Sequence, residues 1–205
     1  YKDGDKGRYW LHAQSTDKLV LFATNGRFYT LACDKLPGGR GNGEPVRLLL
    51  DLANDQEIVD LMVHDPERKL LVAATDGRGF VVEEKATVAQ TRSGRQVLNV
   101  SGDVEAAVCA PVQGDHLAVV GDNHKLIIFP IEELPEMTRG RGVVLQKYRD
   151  GGLADAKTMN LADGLTWKQA GGRTRTETDL EMWLGKRSQA GRLAPKGFPK
   201  NNRFS

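Results

Sequence analysis

Four stretches of this chain repeat one another, and that repetition limits the folds open to it more than any other feature. Leu19 to Tyr29 and Leu70 to Phe80 each run from an apolar stretch through Thr, a turn dipeptide and Arg. Leu117 to Ile127 keeps the shape with Asp122-Asn123-His124-Lys125 at the turn, and Leu165 to Thr176 uses Ala170-Gly171-Gly172-Arg173. Aligned on Gly26, Gly77, His124 and Gly172, the spacings are 51, 47 and 48 residues. That period belongs to propeller blades, solenoids and related arrays.

Asn25-Gly26, Asp76-Gly77 and Gly171-Gly172 supply the positive φ angles of a two-residue type I′ hairpin, so a strand is expected on either side of each. His124 stands where the pattern has Gly, which predicts a longer or different third turn. After the hairpins come loops rich in Gly and basic residues, then β-branched stretches at Val46 to Leu50, Val97 to Val100 and Val143 to Leu145. Further apolar strands are expected at Ile58 to Val63 and Ala106 to Ala110. Ile131 to Met137, limited by Pro130 and Pro135, can form a helical turn or two at most.

Four strands per unit emerge, and since a lone four-stranded sheet leaves its edges open, radial packing of the units is the expected solution. The fold class is therefore all-β, a propeller-like array of about five four-stranded blades with the first incomplete, either open or closed. All of residues 1–205 form one domain in this reading. Residues 1–16 are the remnant of an earlier blade, and the repeat units are 17–66, 67–113, 114–161 and 162–205. Arg173 to Thr178 alternates polar residues where an apolar strand would stand, which marks the fourth unit as a capping blade. The start at Tyr1, without Met, suggests a piece of a longer chain.

Charge is unevenly spread. The formal net charge is only +2, yet from Arg139 onward 14 Lys and Arg face 6 Asp and Glu (+8), leaving 15 against 21 (−6) before it. A basic half joined to an acidic half suggests a surface that meets a polyanion at one end. Cys33 and Cys109 have neither metal spacing nor a disulfide framework, and a reducing cytoplasm fits them best. No apolar run approaches the roughly 18 residues of a membrane span, so no membrane partner is expected.

Catalysis has no visible home. Gly38-Gly39-Arg40-Gly41-Asn42-Gly43 is Gly-rich, but Glu44-Pro45-Val46 leads into a strand rather than the helix a phosphate loop needs. His12, His64, His116 and His124 are scattered, without partners at metal spacing, and are expected at surface or turn positions. Trp10, Trp167 and Trp183 are read as packing residues. No metal or cofactor site is expected.

Basic residues, by contrast, recur at corresponding places. Arg27, Arg78, Lys125 and Arg173 follow the turns, while Arg40, Arg92 with Arg95, Arg139 with Arg141, and Lys186 and Arg187 with Arg192 occupy the loops before the later strand. With Arg47 these are the candidate DNA-binding residues. Cations repeated at blade spacing can contact phosphates along a curved duplex without reading bases; solubility alone is the plainer use of such charges.

Leu36-Pro37-Gly38-Gly39-Arg40-Gly41-Asn42-Gly43-Glu44-Pro45 resembles a loop of the C-terminal repeat domains in the gyrase A/ParC family of bacterial type IIA topoisomerases. Gly79-Phe80-Val81-Val82 with Arg92-Ser93-Gly94-Arg95-Gln96-Val97-Leu98 resembles the next blade, and Phe129 to Pro135 with Arg139-Gly140-Arg141-Gly142 the one after. Tyr1-Lys2-Asp3-Gly4-Asp5 resembles the segment closing the first. The resemblance is looser from Tyr148 to Ala162 and after Arg192. It implies a β-pinwheel, whose blades exchange strands. It implies too a DNA-binding accessory domain, noncatalytic itself, that orients the transported duplex for supercoil relaxation and decatenation.

The parent it implies is an ATP- and Mg-dependent holoenzyme in which ParE and a second ParC are partners, cytoplasmic and nucleoid-associated. In some members late blades bind an SMC-type condensin, which makes Arg173 and Arg192 candidates for that contact. The cleaving tyrosine lies outside this domain, so Tyr1, Tyr9, Tyr29 and Tyr148 do not inherit that role. The Gln-Arg-Arg-Gly-Gly-Lys-Gly box of gyrase A is absent, Gly38 to Gly43 being a degenerate version, and this favours the topoisomerase IV branch over a DNA-wrapping gyrase domain. The competing function is a protein-docking propeller, motivated by the acidic first two-thirds of the chain.

Overall fold

The computed structural model describes residues 17–32 and 50–205. Its repeating element is an antiparallel hairpin: β1 (Lys18–Ala23) with β2 (Arg27–Ala32), β4 (Lys69–Ala74) with β5 (Arg78–Glu83), β8 (His116–Gly121) with β9 (Lys125–Pro130), and β12 (Leu165–Lys168) with β13 (Thr174–Glu177). β1, β4 and β8 are almost wholly buried, which is why their sequences read as continuous apolar runs rather than alternations.

The first two hairpin turns correct the expectation of type I′ geometry, whereas Gly171 and Gly172 of the fourth are both left-handed, at φ 93° and 88°. Each of the first three has a three-residue loop, closed by the N–H of Gly26, Gly77 or His124 donating to the carbonyl of Ala23, Ala74 or Gly121. Only the third loop residue is left-handed, with φ of 79°, 88° and 63° respectively. Type I′ would need two such residues; a three-residue loop with one left-handed residue is the next common hairpin solution. His124 therefore adopts the same turn as its glycine counterparts, contrary to the sequence expectation of a different one. Asn25, Asp76 and Asn123 each accept, through the side-chain oxygen, the N–H two residues on, at 3.0 to 3.1 Å. That recurring bond is the reason for Asx at this place.

The other strands cross between units. β3 (Ile58–Val63), β7 (Ala106–Pro111) and β11 (Leu153–Met159) each return to the preceding hairpin and pair with β1, β4 and β8. The short strands β6 (Arg95–Gln96), β10 (Val143–Val144) and β14 (Arg192–Leu193) come from the following unit and pair with β2, β5 and β9. Three four-stranded sheets result, in the orders β3-β1-β2-β6, β10-β5-β4-β7 and β11-β8-β9-β14, with β12-β13 as a two-stranded sheet. Each full blade thus contains strands from consecutive stretches of sequence, as in a pinwheel. Among the described residues the helical elements are short 3-10 turns, one of them Ile131–Glu133.

Successive blades bury their faces on one another. Val20, Phe22 and Phe28 of the first pack with Val72 and Phe80 of the second, and Leu71 and Val81 of the second with Leu117 and Phe129 of the third. Trp167 and Trp183 are buried, as expected of packing residues. The hydrophobic face of β12 is closed by residues 194–205: Phe198 and Phe204 pack with Trp167, and Lys168 N–H donates to the Phe204 carbonyl at 2.8 Å. Asn202 at φ 57° meets His124 Nδ1 at 2.6 Å.

Candidate nucleic-acid interface

The three-residue turn puts a basic residue first in the second strand of each full hairpin. Once the Asx side chain has capped the N–H of Arg27, Arg78 or Lys125, the side chain leaves the sheet where the outer strand begins to pair. Arg27 lies opposite Gln96, Arg78 opposite Val144 and Lys125 opposite Leu193. All three are half-buried, and the Arg27 guanidinium donates to the Ser93 carbonyl at 3.1 Å. Arg95 and Arg192 occupy equivalent exposed places, paired with Phe28 and Leu126. In the second blade that place is held by Val143, and the charge is moved to the exposed Arg141.

Beyond the outer strands runs a seam joining one unit to the next. Asp51 N–H donates to the Arg92 carbonyl at 2.9 Å, Asn99 N–H to Gly140 at 2.8 Å and Lys147 N–H to Gln189 at 3.3 Å. Val97 and Leu145 extend it, accepting from Gly140 and Ser188, while their own N–H groups bond Gly26 and Gly77. At each crossing stands a predicted cation with a different companion. Arg92 faces Asp51 at 3.9 Å, and Arg139 donates weakly to Asn99 at 3.4 Å. At the third crossing the companion position is Lys147, beside Lys186 and Arg187.

The companion thus changes from acid to amide to base along the array. Arg187 is held in place there, its guanidinium on the Val144 carbonyl at 2.8 Å and its N–H on Glu133 at 3.1 Å. Arg141 is partly neutralised by Asp76 at 3.4 Å.

The structure therefore places Arg27, Arg78 and Lys125 at the strand starts facing the outer strands, and Arg92, Arg95, Arg139, Arg141, Lys186, Arg187 and Arg192 on the outer strands and the seam beside them. Arg173 stands apart, exposed at the turn of the two-stranded sheet. Arg40 and Arg47, with the Gly38 to Gly43 loop, Trp10 and residues 1–16, lie outside the described residues. Lys147 was missed by the sequence reading, because its counterparts Asp51 and Asn99 are not basic and repeat logic gave no signal there.

No group of His, Cys, Asp and Glu among the described residues could hold a metal ion. His64 is not a free surface histidine: its Nδ1 lies 2.7 Å from the fully buried Glu84, which also accepts from Arg68 Nε at 2.6 Å and Asp65 N–H at 2.5 Å. That clamp fixes the bend between β3 and β4. No helix among the described residues is long and apolar enough to cross a membrane.

Residues 17–65 and 115–153 match the model of the DNA gyrase C-terminal domain, beta-propeller. The DNA topoisomerase 4 A protein of Caulobacter vibrioides is 48% identical over 204 residues, covering 100% of this chain and 27% of its own length. Its Rickettsia bellii counterpart is 44% identical over 205 residues, again 100% of this chain and 28% of its own length. The chain thus spans little more than a quarter of these relatives. Among solved structures, the Escherichia coli ParC C-terminal domain superposes with a TM-score of 0.77 at 23% identity, covering 92% of this chain and 80% of that one. A DNA gyrase A C-terminal domain gives 0.70 at 13% identity, over 90% of this chain and 64% of that one. With strand exchange between blades, repeated turn chemistry and similarity along the whole of this chain in agreement, the chain belongs to the family of C-terminal β-propeller-like domains of ParC, the topoisomerase IV protein, and of DNA gyrase A.

Proposed function

We propose that this chain is the duplex-DNA-binding C-terminal domain of a topoisomerase IV ParC protein, noncatalytic itself, which orients the transported DNA segment for relaxation and decatenation by the parent enzyme. The observation that carries this reading is the outer seam, where Arg92, Arg139 and Arg187 recur at blade spacing beside Arg95, Arg141 and Arg192. Cations at that repeat, on loops leading into outer strands that pair with the neighbouring blade, form a curved row that binds the phosphate backbone regardless of sequence. The full set proposed to contact DNA is Arg27, Arg40, Arg47, Arg78, Arg92, Arg95, Lys125, Arg139, Arg141, Arg173, Lys186, Arg187 and Arg192. The boundaries 17–66, 67–113, 114–161 and 162–205 are proposed as the repeat units, after a first-blade remnant at 1–16.

The proposed parent is an ATP- and Mg-dependent assembly with ParE and a second ParC, in the cytoplasm and on the nucleoid, and an SMC-type condensin is a further proposed partner. Titration of a random-sequence duplex at several salt concentrations tests the reading. Binding that weakens steeply with salt, less steeply after Arg139, Arg141, Lys186 and Arg187 become Ala, supports it. Absence of binding at low salt contradicts it.

A further inference from the structure

The two-stranded sheet has an edge unlike those of the other blades. β2, β5 and β9 each receive an outer strand, whereas β13 pairs with β12 on one side and with no strand on the other among the described residues. Its residues are those of a strand ready to pair, with Thr174, Arg175 and Thr176 exposed and extended. An open edge of this kind is a template for a further strand.

The sequence along the edge is complementary to itself. The strand Thr174-Arg175-Thr176-Glu177, laid antiparallel on a second copy with Thr176 opposite Thr176, sets Arg175 against Glu177, twice over by symmetry. Opposite charges directly across an antiparallel pair are favourable, and like charges there are not. Registers one residue away set Arg or acid against Thr and lose the match.

Backbone direction agrees with that register. Gln169 N–H donates to the Arg173 carbonyl at 2.7 Å, which makes this a hydrogen-bonded pair of the hairpin. Pairs alternate along an antiparallel ladder. With Trp167 opposite Arg175 and Leu165 opposite Glu177, Arg175 and Glu177 therefore turn their backbone groups toward β12, while Thr174 and Thr176 turn theirs outward. A twofold axis at Thr176 needs those outward groups. It also makes Arg175 of one copy and Glu177 of the other a non-hydrogen-bonded pair, whose side chains approach most closely. Thr166 Oγ1 meets Thr176 Oγ1 at 2.7 Å, as expected of such a pair within the hairpin itself.

We infer that the β13 edge joins a second copy of this chain, edge to edge, in an antiparallel register centred on Thr176. The contact is small, far below the roughly 1,200 Å² of a stable interface, so the association is weak and is best trapped covalently. In a Cys33→Ala background, with Cys109 buried, Thr176→Cys places two thiols on the axis at the Cα separation a disulfide accepts, about 5.5 Å. Mild oxidation of the purified chain at high concentration should convert Thr176→Cys to dimer. Thr174→Cys, off the axis, should stay monomeric.

Arg175→Glu or Glu177→Arg in the Thr176→Cys chain should slow crosslinking several-fold, and the double exchange should restore it. Unchanged circular dichroism of each reduced variant separates loss of pairing from loss of fold. Absence of a Thr176→Cys dimer, equal crosslinking by Thr174→Cys, or failure of the charge exchange to rescue would overturn the inference.

Discussion

Replacing Gly26 by Ala should cost far more than the same change at Gly171, although both glycines are left-handed, at φ 79° and 93°. A left-handed L-residue costs about 1 to 2 kcal/mol wherever it stands. At Gly171 no described residue lies within 4 Å of an added Cβ, so Gly171→Ala should lose only that amount. At Gly26 the Cβ would fall inside the Leu98 carbonyl. Relief requires the outer strand to move away, which removes the bonds of Val97 and Leu98 N–H to the Gly26 carbonyl and of the Gln96 amide to the Asn25 carbonyl.

At roughly 1 kcal/mol net for each of those hydrogen bonds, Gly26→Ala should lose about 4 to 5 kcal/mol in all. The difference of about 3 kcal/mol corresponds to a Tm gap of ~6 to 12 °C for a chain of this size. Urea titration and thermal melts of the two variants measure it. Hydrogen exchange should additionally report lost protection at Val97 and Leu98 in Gly26→Ala alone. Equal destabilisation by the two substitutions would refute the argument that outer strands are latched onto the turns.

Glu84→Gln leaves the partly exposed Arg68 guanidinium and the Asp65 N–H facing an uncharged amide at a fully buried position, and losing these hydrogen bonds to a charged acceptor should cost about 1.5 to 3 kcal/mol in a denaturant titration. Among the described residues the buried Tyr148 hydroxyl has no hydrogen-bond partner, so Tyr148→Phe should leave stability at neutral pH unchanged or slightly raised. Burial, with Asp122 and Asp76 nearby, pushes the Tyr148 phenol well above its ordinary value. Its contribution is therefore complete below about pH 10, the unfolded value, and is lost as pH rises beyond it. Melts between neutral and alkaline pH should show a smaller alkaline loss in Tyr148→Phe than in the parent chain. Removing Arg139 and Arg141 should weaken duplex binding about equally for unrelated sequences in a competition assay; a sequence-selective loss would contradict phosphate-only contacts.

Much of this architecture is written in single residues. Gly26, Gly77 and the Arg or Lys after each turn announce the hairpins, and Ile58 to Val63 reads as a strand because all its residues but Asp60 are apolar. The number of left-handed residues per turn was misread because Asn-Gly and Asp-Gly serve both hairpin types. Here the Asn or Asp acts through its side-chain bond to Arg27 or Arg78 rather than through a positive φ. β11 was illegible, since Ala154, Asp155, Lys157 and Thr158 are only half-buried and Leu153, Ala156 and Met159 recur at a spacing of three.

Which hairpin receives an outer strand is not encoded locally. Val143 pairs with Gly79, 64 positions away, and only the fold brings them together. For the same reason the recurrence of basic residues was visible in the sequence, while the change of companion from Asp51 to Asn99 to Lys147 needed the seam's register. Glu84 looks like any surface acid beside Glu83, and its burial depends on Arg68 and His64 arriving from the bend between β3 and β4.

Binding of duplex DNA by the outer seam through its phosphates is the central claim, and the dependence of affinity on salt tests it most directly. A linear fall of log K with log salt is predicted for the isolated chain on a random duplex. Its slope should shrink by about 1 for each seam cation removed in the series Arg139, Arg187, Lys147. Binding that is insensitive to salt, or a slope unchanged when all three become Ala, would contradict it.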